Sequence, residues 1–128
     1  MRKFFIIVLT ISATFVFSQA AQAAAKGQIV AAKWGGSSWY LAMVTNVNGT
    51  NYDVVYADGD AKQALPESEL KPIPEDPQIK VGDKVLAVWS NAVFYPGTVT
   101  NAANLSYEVK WDDGTGAKWV PAGRILKQ

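Results

Sequence analysis

The 128-residue sequence contains no cysteine and no histidine. Without cysteine there is no disulfide framework, no thiol nucleophile and no thiolate metal site. Without histidine the usual general base and the commonest metal ligand are missing. An excess of either charge is lacking too: 12 Lys and Arg stand against 11 Asp and Glu, a formal net charge of +1. Electrostatic nucleic-acid binders carry a clear basic excess, so no nucleic-acid partner is expected, and neither is a metal or cofactor. The carboxylates make a poor acid–base pair. Asp112 and Asp113 are adjacent, and successive strand residues point to opposite faces. Ser and Thr have no His to activate them. Catalysis is therefore not expected.

What is present begins with an apolar leader. Arg2 and Lys3 precede an uncharged run from Phe4 to Phe17, and small residues follow to Ala25. This is the layout of a secretory signal peptide. The run of about 14 residues is short of the ~20 that span a bilayer. Residues 1–23 are expected to be removed, with Ala21-Gln22-Ala23 as the favoured cleavage site and Ser18-Gln19-Ala20 as a second. No membrane anchor should remain, and the mature chain should be periplasmic or extracellular. Its 105 residues (128 minus 23) lose Arg2 and Lys3, which leaves a net charge of −1.

The rest is one unit written twice. At a shift of 55 residues, Gly27–Lys71 lies on Gly82–Leu126 without a gap, and 13 of 45 positions are identical. The identities include Trp34/Trp89, Tyr40/Tyr95, Tyr52/Tyr107, Asp58/Asp113, Gly59/Gly114 and Pro66/Pro121. A fixed internal period is read before any other fold signal. The boundaries that follow are a first domain over 24–71, a proline-rich linker over 72–80 and a second domain over 81–128. Three prolines, Pro72, Pro74 and Pro77, make the linker extended and stiff.

Each copy reads as short strands rich in β-branched and aromatic residues. In the second copy these are Lys84–Trp89, Phe94–Asn101, Ser106–Asp112 and Ala117–Val120. Asn48-Gly49, Asp58-Gly59 and Asp113-Gly114 mark turns. Pro66–Leu70 and Pro121–Ile125 suggest a 3₁₀ turn. No stretch has a helical period, so the fold class is all-β, with two small tandem barrels of four or five strands.

Strand alternation gathers the aromatics. Val30, Ala32 and Trp34 share a face, as do Tyr40, Ala42 and Val44, and Tyr52, Val54 and Tyr56. In an antiparallel meander the first strand ends, the second begins and the third ends at one level. Trp34, Tyr40 and Tyr56 therefore meet at one rim, with Asp58 in the next turn. Trp89, Tyr95, Trp111 and Asp113 repeat the set. Three rings with a carboxylate can hold a bulky cation, because ring faces are electron-rich. Each ring taken singly also serves as core, and Asp58 and Asp113 also serve as ordinary turn residues. Trp39 and Phe94 fall on the opposite face as rim or surface contacts. Trp119, opposite Ala64, marks an exposed patch of the second copy.

The order of these residues resembles Tudor domains, within the Tudor, chromo and agenet group of SH3-like barrels. The matching text is Gly82-Asp83-Lys84-Val85, Ala87-Val88-Trp89-Ser90, Phe94-Tyr95-Pro96-Gly97 and Val109-Lys110-Trp111-Asp112-Asp113-Gly114, echoed by Val30 to Trp34, Tyr40 and Val54 to Gly59. The resemblance implies SH3-like barrels and an aromatic cage for methylated lysine or arginine. Carried over, the cages are Trp34, Tyr40, Tyr56 and Asp58, and Trp89, Tyr95, Trp111 and Asp113. Many Tudor cages add an aromatic just after the Asp-Gly turn, where this chain has Asp60 and Thr115. The expected function is a non-enzymatic module binding a protein, a peptide or a small cationic ligand. The alternative is a structural or protein–protein interaction module of the cell envelope, with the aromatics as core and contact surface.

Overall fold

Ten β-strands and one 3₁₀ turn make up the regular structure of residues 24–128, the part that the computed structural model describes. The expected signal peptide, residues 1–23, lies outside the described residues. The all-β reading holds throughout them. The first copy contributes β1 (Ile29–Trp34), β2 (Ser38–Asn48), β3 (Asn51–Tyr56), β4 (Ala61–Pro66), the 3₁₀ turn Glu67–Glu69 and β5 (Leu70–Pro72). The second contributes β6 (Lys84–Val88), β7 (Val93–Ala102), β8 (Ser106–Trp111), β9 (Ala117–Pro121) and β10 (Ile125–Lys127). The expected 3₁₀ turn forms in the first copy only. Pro121 to Arg124 is a hydrogen-bonded turn, closed by Arg124 N–H donating to the Pro121 carbonyl at 3.2 Å.

All pairings are antiparallel. The strands run β5-β1-β2-β3-β4 in the first copy and β10-β6-β7-β8-β9 in the second. The two tandem barrels expected from the sequence are not closed ones. Among the described residues no backbone pairing joins β4 to β5 or β9 to β10, so neither sheet closes on itself. The turn after β4 carries the chain across the open side, and β5 returns to pair with β1 instead. The two sheets are also joined into one through β2 and β7, with Trp39 opposite Phe94 and Tyr40 opposite Val93.

The shared triplet Val-Thr-Asn at 44–46 and 99–101 has a structural reason. In both copies the long second strand takes an extra residue there, Thr45 or Thr100, as a β-bulge against the third strand. Such bulges bend and twist a strand, which curls each sheet around its own core. Val30, Val44, Tyr52, Val54 and Leu65 fill the first core, and Val85, Val99, Tyr107, Val109 and Ile125 the second.

A third apolar cluster lies between the copies. It holds Ala31, Ile73, Val88, Phe94 and Leu126, with Trp39, Leu41 and Leu86 packed against it. The outward faces of both sheets are thus partly inward in the whole molecule. Trp39 and Phe94 are counterparts at the 55-residue shift and sit opposite each other, so the copies are related by an approximate two-fold axis through that pair. The proline-rich stretch is bound at two points, through Ile73 in this seam and Ile79 in the second core.

Candidate functional site

The rings of the first copy come together as the strand order requires. Trp34 closes β1, Tyr40 lies near the start of β2, and Tyr56 closes β3. The Trp34 and Tyr56 ring centres are 5.0 Å apart and the planes 89° apart, an edge-to-face contact. Tyr40 meets Tyr56 edge-to-face as well, at 6.3 Å and 86°. Tyr56 is therefore the floor. It is buried, and its hydroxyl donates to the Lys33 carbonyl. Burial, with Glu69 nearby, holds its phenol above the ordinary tyrosine range. Trp34 stands in the open at 41% exposure, and Tyr40 is half-buried.

Asp58 follows in the β3–β4 turn and accepts a hydrogen bond from Asp60 N–H at 3.0 Å. Together with Tyr40 it lines a hollow of about 610 Å³. The far wall is a part that the sequence reading missed, the β6–β7 turn of the other copy at Asn91, Ala92 and Val93. No basic side chain lines this hollow. The turn is held in an uncommon shape. Asn91 and Ala92 both have positive φ, 55° and 60°, and Val93 N–H donates to the Ser90 carbonyl at 3.2 Å, which makes a type I′ turn. An alanine in this region costs about 1–2 kcal/mol. Leu41 N–H donating to the Ala92 carbonyl at 2.8 Å ties the turn to the first copy. Strained backbone of this kind persists where surrounding contacts over-determine it.

The second set is arranged differently. Trp89 touches both other rings, Tyr95 at 5.8 Å and 75° and Trp111 at 6.0 Å with only 32° between planes. Trp89 thus lies across the group and packs on the core, while Trp111 is buried beneath it. Asp113 accepts from both the backbone N–H and the hydroxyl of Thr115, at 3.0 and 2.7 Å. Those bonds hold its carboxyl below the usual carboxylate range. Beside Trp89 is a hollow of about 220 Å³ bounded by Lys118, Trp119 and Arg124. Lys118 Nζ donates to the Trp89 carbonyl at 2.6 Å. Basic groups at this wall oppose a cationic guest, and the first copy has one in the equivalent place, Lys62, which lines a separate hollow of about 400 Å³ with Trp34.

Two other aromatics fall where the sequence placed them only loosely. Trp119 is exposed at 44%. Trp39 enters the seam, with Lys33 Nζ and Lys71 Nζ lying 5.2 and 5.1 Å from its ring centre. Trp39 therefore does not fill the box at Trp34 and Tyr40.

With this geometry in place, the comparisons with known proteins are specific. Residues 81–122 match the family model described as the Tudor domain of the DNA repair protein Crb2. No curated protein matches the chain. Among solved structures, AGD34 of Arabidopsis thaliana AGDP1 is similar over 100% of this chain and 92% of its own, with 16% identity and a TM-score of 0.50. The tandem agenet domain 3-4 of ADCP1 is similar over 81% of this chain and 79% of its own, with 18% identity and a TM-score of 0.48.

The fold is Tudor- and agenet-like. The family match falls on the second copy. Each ring group has one exposed ring (Trp34, Tyr95), one half-buried ring (Tyr40, Trp89) and one buried ring (Tyr56, Trp111), and the acid-lined hollow belongs to the first copy. Among the described residues no helix is long and apolar enough to cross a membrane.

Proposed function

We propose that the chain is a non-enzymatic binding module. It holds a methylated or otherwise cationic side chain, carried by a peptide or a small ligand, at the rim of the first copy. The observation that carries this reading is the hollow between Tyr40, Asp58 and the turn Asn91–Val93, whose Tyr40 ring stands on Tyr56, the floor that Trp34 also meets. A tyrosine ring and a carboxylate with no basic side chain in the same hollow suit a bulky cation, and each ring contact contributes roughly 0.5–2 kcal/mol. A Tudor-like fold also suits a peptide-binding role. The proposed site residues are Trp34, Tyr40, Tyr56 and Asp58. In the second copy Trp89, Tyr95, Trp111 and Asp113 keep the same order, with Trp89 and Trp111 packed on the core and Tyr95 exposed, and the structural reading applies to the packed pair.

Export belongs to this proposal. With residues 1–23 removed, the module works in the periplasm or outside the cell, so the cation is one found there. The test is calorimetric titration of the chain beginning at Ala24 with peptides carrying lysine or trimethyl-lysine. The methylated peptide should bind, and Tyr40→Ala should weaken it about tenfold, equal to about 1.4 kcal/mol. Equal affinity for both peptides, or an unchanged affinity in Tyr40→Ala, would sink the reading.

A further inference from the structure

The internal repeat supplies a control for every surface position. On the outer face of the first copy, Ile29, Met43 and Val55 are direct cross-strand neighbours on β1, β2 and β3. Their counterparts at the 55-residue shift are Lys84, Thr98 and Lys110, again cross-strand neighbours. The second copy shows this row as a solvated polar face. Lys84 Nζ donates to Thr98 Oγ1 at 3.1 Å and pairs with Asp112 at 3.1 Å. In the first copy the same row is apolar and open, with Ile29 at 43% and Met43 at 37% exposure. Even Asp112 is replaced there, by Ala57. One fold therefore tolerates charge on this row, and the first copy carries methyl and thioether groups instead. Exposed apolar groups gathered in one place mark a contact surface.

The row surrounds a hollow of about 190 Å³, lined among others by Ile29, Leu41, Met43, Val55 and Ala57. Its walls are almost wholly apolar, and its size suits one aliphatic side chain. Ala57 lines this hollow and also the acid-bearing hollow of Tyr40 and Asp58. Leu41 continues the apolar surface into the seam between the copies. The two hollows thus adjoin, one acidic and free of basic side chains, the other apolar.

We propose that the Ile29–Met43–Val55 row is a second subsite for the same ligand, and that it takes an aliphatic side chain beside the cationic one. This rests on the cation reading of the Tyr40–Asp58 hollow. The ligand class is then narrower than a cation: a peptide in which a methylated or otherwise cationic residue is flanked by a leucine-type residue. Charge complementarity sets the direction, with the positive group at Asp58 and the uncharged aliphatic group on the row. The second copy, with Lys84 and Lys110 in place of the row, does not take it.

The probes are heptapeptides with a central trimethyl-lysine in a glycine–serine chain, with one leucine moved through the three positions on each side. One leucine position should bind about tenfold more tightly than the leucine-free parent, as partial burial of such a side chain allows. Met43→Thr with Val55→Lys, which installs the second copy's residues, should remove that gain and leave the parent's affinity unchanged. Met43→Ala should reduce the gain in part, and it serves if the double variant does not fold. No gain at any position, or a gain that persists in the folded variants, overturns the subsite while the cation reading stands. If no trimethyl-lysine peptide binds at all, both fall.

Discussion

The two copies share 13 identities over 45 positions, Trp34/Trp89, Tyr40/Tyr95 and Asp58/Asp113 among them, yet set their rings in different arrangements. In the first, Tyr56 is a buried floor on which Trp34 and Tyr40 stand apart. In the second, Trp89 reaches over both Tyr95 and Trp111. The floor differs because a cross-strand pair has exchanged volume: Ala42 opposite Tyr56 becomes Gly97 opposite Trp111. The fourth strands differ as well. Ala64 sits at φ 58° in a bulge, where Asp53 Oδ1 accepts its N–H at 3.0 Å. Its counterpart Trp119 lies in a regular β8–β9 ladder. Duplication has preserved the strand scaffold, the bulged Val-Thr-Asn triplet and three of the four rim residues, while the floor, the fourth strand and the outer face have diverged.

The largest test of this comparison concerns the seam, which makes the copies one body. Phe94→Ala removes a buried ring from it and should cost about 3–5 kcal/mol. The half-buried counterpart Trp39 should cost less on the same change. Urea unfolding should show one transition for the parent chain, and two separate transitions would show that the copies are independent.

The floor pair comes next. A Cβ added at Gly97 would lie 2.5 Å from Val109 Cγ1 and 2.8 Å from the Lys110 carbonyl oxygen. Gly97→Ala should therefore cost about 1–3 kcal/mol, through overpacking. The reverse change at the equivalent site, Ala42→Gly, should cost about 0.5–1 kcal/mol from backbone entropy, with a further loss from the buried methyl. Equal effects would mean that the volume exchange between Tyr56 and Trp111 is not what separates the floors.

The smallest difference is electrostatic and lies at the entry to each copy. Gln28 Oε1 accepts from Ala25 N–H in the first, and Asp83 Oδ2 accepts from Lys80 N–H in the second, both at 3.0 Å. That backbone bond, aided by Lys127 and Lys80, holds Asp83 below the usual carboxylate range. Asp113 is lowered as well. A lowered folded-state value gives stability above the ordinary carboxylate pKa near 4, which is lost as pH falls through the folded value. Acid should thus loosen the second copy by a small amount, and Asp83→Asn should flatten that part of the pH–stability curve. Gln28→Glu should create the same dependence in the first copy. A curve unchanged by Asp83→Asn would remove this distinction.

Much of the scaffold is legible in the sequence. Alternation places Trp34, Tyr40 and Tyr56 together, and the 55-residue shift assigns their counterparts. Three things are not legible that way. Strand pairing between β2 and β7 depends on tertiary packing, so Trp39 and Phe94 read as surface residues. The turn Asn91–Val93 reaches the first copy's rim only because of that pairing. Whether Trp89 lies over Trp111 is set by ring volume and rotamer, which strand period does not report. One signal was readable in the aligned copies: Ile29, Met43 and Val55 stand where Lys84, Thr98 and Lys110 occupy outward positions. Apolar residues at outward positions of one copy alone point to a contact, not to core.

The central claim is that a cation is held at the first copy's rim rather than the second's. Nuclear magnetic resonance follows the five tryptophan indole N–H signals separately as trimethyl-lysine peptide is added. The account predicts that the Trp34 signal shifts to saturation while those of Trp89 and Trp111 stay in place, and that Asp58→Asn weakens the titration whereas Asp113→Asn does not. Saturable shifts at Trp89 and Trp111 with Trp34 unmoved would contradict it.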